Sequence, residues 1–132
     1  MGTRSLLHIK DGPKTLVTVY RQFDGYPTGM GADIKNTLSG RDVVNGISGN
    51  RLSYFNGIGC AAAVLIGTLK GEEAGSVYIY PPNAKDCWEE YTYTLSLKPS
   101  GFQIMVQSGS AVIYNGALSE FDPEAVEAAE NA

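Results

Sequence analysis

Only two cysteines stand among 132 residues, Cys60 and Cys87, and neither belongs to a Cys-x-x-Cys pair or a cysteine–histidine cluster. Such spacing argues against a zinc site and allows one disulfide at most. With no secretion signature, both thiols are expected to stay reduced. Histidine is scarcer still: His8 stands alone, so any Cys–His chemistry would have to use that imidazole. Lys and Arg nowhere form a consecutive block, which argues against duplex DNA gripped through many phosphate contacts. The longest apolar run, Cys60 to Gly67, is too short to cross a bilayer, and the N-terminus lacks the charged-then-apolar pattern of a signal peptide. A cytoplasmic protein that avoids membranes is expected, and nothing in the residue pattern asks for a metal or a cofactor.

What is present suffices for one ordered domain. Hydrophobic residues reach 43%, enough to build a core at this length. Charge is distributed unevenly: Met1–Lys70 carries +4, Gly71–Ser119 carries −3, and Glu120–Ala132 holds five acids and no cation. The expected organisation is a single domain over residues 1–119 followed by an acidic tail or short helix over 120–132.

Arg4–Lys10 and Thr15–Arg21 are rich in apolar and β-branched residues and flank Asp11-Gly12-Pro13-Lys14, which predicts a hairpin. Ala32–Leu38, closed by Ser39-Gly40, and Cys60–Lys70, closed by Gly71, read as helices. The second is apolar on almost every side, so it should lie against a sheet. Alternation at Ser76–Tyr80, Tyr91–Lys98, Phe102–Ser108 and Ala111–Asn115 predicts four strands in an antiparallel meander. Asp122-Pro123-Glu124 opens a short terminal helix with a capping residue and a first-turn proline. The fold class is therefore α+β: an antiparallel sheet of about six strands, two helices on one face, and a short C-terminal helix.

Half of the 16 glycines fall between Gly25 and Gly59, a density that marks backbone needing left-handed geometry or close approach. Asn56-Gly57-Ile58-Gly59 runs straight into the Cys60 helix, where free amides could meet an anion. Neither phosphate-loop fingerprint is matched, and no strand is expected to feed this loop. Tight packing of the glycines is the competing explanation. Cys60 near a helix start could act as a nucleophile with His8, although alternation turns His8 away from the face of Leu7 and Ile9. Glu72-Glu73 and Glu89-Glu90 diverge if extended, and Asp24 before Gly25 fits an Asx turn better than acid–base work. Tyr78 with Tyr80, and Tyr91 with Tyr93, should share sheet faces as an aromatic ladder.

Thr3-Arg4-Ser5, the stretch Val19-Tyr20-Arg21-Gln22-Phe23-Asp24-Gly25-Tyr26-Pro27 with Gly29 and Gly31, Val44-Asn45-Gly46-Ile47, and Asn56-Gly57-Ile58-Gly59-Cys60-Ala61-Ala62 carry a resemblance. Over about Thr3–Tyr80 the chain resembles a group of small proteins carried by bacteriophages and bacteria, which open with a Thr-Arg-Ser strand and an Asp-Gly-Tyr-Pro turn. The resemblance implies a phage or mobile-element context, hence a host cytoplasm. Analogy with small phage proteins suggests a counter-defence factor. The expected function is non-enzymatic binding of an anionic small ligand such as a nucleotide signal. The expected site comprises Arg21, Asp24, Tyr26, Arg41, Asn45, Arg51, Asn56, Gly57 and Gly59. The alternatives are a protein-docking or structural module that blocks a host protein or meets another copy of the chain, and a small enzyme using Cys60.

Overall fold

The computed structural model describes residues 2–47 and 49–132; Met1, and Ser48 within the glycine-rich loop, lie outside the described residues. Strands β1 (Ser5–Asp11) and β2 (Lys14–Arg21) form the expected hairpin, closed by a two-residue turn in which Gly12 takes the left-handed φ of +61° that such turns favour. A π-helical turn at Pro27–Gly31 leads into α1 (Ala32–Leu38). The glycine-rich middle contains two three-residue strands, β3 (Asp42–Val44) and β4 (Tyr54–Asn56), paired in parallel, and β4 runs directly into α2 (Gly57–Lys70). Contrary to the sequence expectation, a strand does feed that helix. Strands β5 (Val77–Tyr80), β6 (Tyr91–Lys98), β7 (Gly101–Ser108) and β8 (Ala111–Ala117) precede a 3-10 turn at Leu118–Glu120 and α3 (Pro123–Glu130).

The fold is α+β, built on a six-stranded mixed sheet ordered β5-β2-β1-β6-β7-β8. Three of the four late strands form the expected meander, but β5 joins the opposite edge beside β2, and β1 pairs with β6 in parallel. The reason is the length of the 81–90 connection, which is long enough to cross β2 and β1 before β6 begins. Short turns at 99–100 and 109–110 hold β6, β7 and β8 antiparallel.

One sheet face carries the core. Leu7, Ile9, Val19, Tyr93, Leu95, Ile104 and Val106 meet Met30 and Ile34 of the first helical segment, Ala61 and Leu65 of α2, and Phe121. The terminal segment is tied down: Asp122 caps α3 by accepting from the Glu124 and Ala125 amides, Glu127 accepts from the Thr28 amide and hydroxyl, and Glu130 accepts from Tyr91 at 2.6 Å. Tyr93 donates to the Gly25 carbonyl at 2.7 Å, which locks the Asp-Gly-Tyr-Pro turn onto the central strand.

Among the described residues, no helix covers the second face. Its rows run Asn115, Met105, Thr94, His8, Thr18, Tyr80 and Val112, Gln107, Thr92, Leu6, Tyr20, Tyr78 across the six strands. The 81–90 connection crosses part of it, anchored by the Asn83 amide on the Thr18 hydroxyl at 3.0 Å. Leu6 and Thr18 are consequently fully buried. The tyrosines divide between faces: Tyr78 and Tyr80 flank Tyr20 here, with Tyr80 stacked on Tyr20 at 4.8 Å, whereas Tyr91 and Tyr93 face the helices. No helix among the described residues is long and apolar enough to cross a membrane.

Candidate functional site

Arg41 occupies the junction between the end of α1 and the start of β3. Its guanidinium lies over the Phe55 ring with 4.0 Å from Cζ to the ring centroid, a cation–π contact. One terminal nitrogen donates to the Tyr54 carbonyl at 2.8 Å and to the Arg51 carbonyl at 3.2 Å. Nε is buried and has no acceptor. A buried donor without a partner is costly, and folded proteins carry few of them.

Arg41 lines three concavities. A cleft of about 510 Å³ runs between Asp42-Val43 and the β6–β7 turn, with Lys98, Ser100 and Phe102 on its far wall. A groove of about 450 Å³ separates Asn36 and Thr37 of α1 from Val64 and Thr68 of α2. A smaller hollow of about 320 Å³ brings in Lys35 and Ser119. The first offers two cations, a hydroxyl and an aromatic wall against one acid, Asp42, and its size falls in the range of small-molecule pockets.

The expected site residues form three groups. Arg41 and Arg51 are neighbours at the amino ends of β3 and β4, joined through the Arg51 carbonyl. Asn45, Gly46, Asn56, Gly57 and Gly59 gather at the carboxyl ends, where the Gly46 amide donates to Asn56 Oδ1 at 2.8 Å. Three residues of strand, about 10 Å, separate these groups. Arg21, Asp24 and Tyr26 lie beyond the other end of α1. Arg21 is paired with Asp33 at 2.7 Å and donates to the Phe23 carbonyl, so its charge is answered within the fold. Asp24 takes no amide as an Asx turn would; its carboxylate accepts from the Tyr26 hydroxyl at 3.0 Å and pushes that phenol's pKa up.

Cys60 and His8 do not meet. Leu7 and Ile9 face α2, which turns His8 to the opposite sheet face, where Nδ1 lies 2.8 Å from the Thr18 hydroxyl. Burial beneath the connection lowers the imidazole's pKa, with Glu89 opposing. Among the described residues, no three His, Cys, Asp or Glu side chains come together to hold a metal. Lys98, Ser100, Phe55 and Phe102 stand outside the expected site residues. The Pro99-Ser100-Gly101 turn registered only as a break between strands, and nothing in its composition marks it as the wall of a cleft.

The glycines at the start of α2 differ in what they require. Gly57 holds φ at +81°, whereas Gly59 is helical, exposed, and would meet nothing within 4 Å if it carried a Cβ. Gly59→Ala is therefore expected to stabilise the chain by about 0.5–1 kcal/mol, and Gly57→Ala to destabilise it by about 1–2 kcal/mol. Urea midpoints of the two variants moving in the same direction would contradict this helix start.

Comparison with protein families, curated proteins and solved structures gave no match.

Proposed function

We propose that this protein is a non-enzymatic binding module for an anionic small molecule of nucleotide size, held in the cleft between Arg41 and Lys98. The observation that carries the reading is Arg41. Its guanidinium is held by two carbonyls and the Phe55 ring, and its side chain lines three hollows. A guanidinium charge fixed in this way suits phosphate or carboxylate oxygens, while Lys98 adds a second charge and Phe102 a surface for an apolar or aromatic ligand body. The resemblance of the Asp-Gly-Tyr-Pro segment to small phage proteins makes sequestration of a host nucleotide signal the working context.

A thermal-shift series over nucleoside mono- and triphosphates, cyclic nucleotides and ADP-ribose tests this, with inorganic phosphate and pyrophosphate as charge controls. A ligand present at about 100 times its Kd should add about 2.7 kcal/mol of stability. Arg41→Gln and Lys98→Gln should each weaken a hit about tenfold or more, and Arg41→Lys should restore only part of the loss. Arg21→Gln should leave affinity unchanged. A hit that survives Arg41→Gln, or a series in which pyrophosphate matches every nucleotide, counts against the cleft.

A further inference from the structure

The 81–90 connection does more than join two strands. Trp88 is the only tryptophan in the chain and is 83% exposed, the most exposed large apolar side chain among the described residues. Its backbone is left-handed, with φ of +66°, and two neighbours in the same connection, Asn83 and Asp86, share that geometry without being glycine. A bulky residue adopts it only under constraint. The constraints are visible: the Cys87 amide donates to Glu89 Oε1 at 2.6 Å, the Glu90 amide to the Arg4 carbonyl at 2.9 Å, and the Gly109 amide to the Glu90 carbonyl at 3.0 Å. The backbone that carries the indole is thus held in place at a corner of the fold.

Acids surround it. Residues 85–90 hold Asp86, Glu89 and Glu90 against Lys85, and Asp86, Trp88 and Glu89 line a shallow depression of about 360 Å³.

We propose that this corner docks a basic segment of a partner protein, with one arginine or lysine side chain seated against the Trp88 indole between Asp86 and Glu89. Charge complementarity selects the occupant. A carboxylate-flanked indole repels the anions that Arg41 and Lys98 would hold and attracts guanidinium or alkylammonium groups through the ring face. Tryptophan is also among the side chains enriched at the positions that dominate protein interfaces. The corner and the Arg41 cleft sit at opposite ends of β6, whose eight residues span roughly 23 Å, so either can fail without the other.

Trp88 reports on its own coverage. Titrating the full chain with a hexa-arginine peptide should move the indole emission to shorter wavelength and reduce acrylamide quenching, and hexa-glutamate should do neither. With dye-labelled hexa-arginine, Trp88→Ser and the Asp86→Asn/Glu89→Gln double variant should each bind about tenfold more weakly. Undiminished binding by Trp88→Ser, or binding with unchanged emission, would overturn the proposal. An emission shift that grows with protein concentration in the absence of peptide would assign the corner to a second copy and overturn the basic partner.

Discussion

Gly29→Ala is expected to lower the melting temperature by roughly 10 °C, the equivalent of about 3 kcal/mol in a domain of this size. A Cβ at this position would land on the Asp24 carbonyl, well inside van der Waals contact. That carbonyl cannot yield, because it accepts the Met30 amide at 2.8 Å and belongs to a residue already held at φ of +57°. The π-helical turn that feeds Met30 and Ile34 into the core would have to reopen. Gly31→Ala should cost less, since its Cβ meets the edge of the Phe121 ring at 3.0 Å, and a ring can tilt. Circular dichroism melts should rank Gly29→Ala below Gly31→Ala and both below the parent. A Gly29→Ala protein that melts with the parent would show the turn to be loosely held.

Alkaline pH supplies the second large effect. Burial pushes the Tyr93 phenol far above its ordinary value, and Tyr91 and Glu127 push in the same direction against smaller opposing effects from the Gly31 amide and Arg21. The folded chain therefore keeps this proton after the unfolded chain has begun to release it near pH 10, so unfolding takes up hydroxide and stability falls as pH rises above about 10. For one fully buried phenol the slope is about 1.4 kcal/mol per pH unit. Tyr91 contributes in the same direction, but its partial exposure screens it. Tyr93→Phe should cost about 1–2 kcal/mol at pH 7 by leaving the Gly25 carbonyl without its donor, yet lose stability more slowly between pH 10 and 11. Urea midpoints of parent and variant falling in parallel over that interval would contradict a buried neutral phenol.

Local chemistry made much of this fold readable. Ala32–Leu38 has the boundaries that its glycine stop implied, and Asp122-Pro123 opens α3 as capping rules require. Pairing across the chain was not readable, because no local pattern records that Tyr91 lies beside Ser5 or that Val77 lies beside Arg21. Strands as short as β3 and β4 escape periodicity altogether. Glycine density also proved ambiguous. Gly25, Gly29 and Gly31 serve close packing, Gly46 and Gly57 serve left-handed geometry, and Gly59 serves neither. At the candidate site Arg41 was legible as a cation in a glycine-rich stretch, whereas Lys98 reaches the same cleft only through the sheet topology.

The parallel pairing of Ser5–Ile9 with Tyr91–Leu95 also sets a timetable for synthesis. The first hairpin can close as soon as it emerges, but the other edge of β1 stays bare until the sixth strand has been translated. At ordinary elongation speeds of about 5–20 residues per second that delay lasts roughly 4–15 s. Throughout it the nascent chain displays an unpaired row of amides and carbonyls, an invitation to neighbouring chains on the same messenger. Truncations that stop before Tyr91 would make that transient condition permanent.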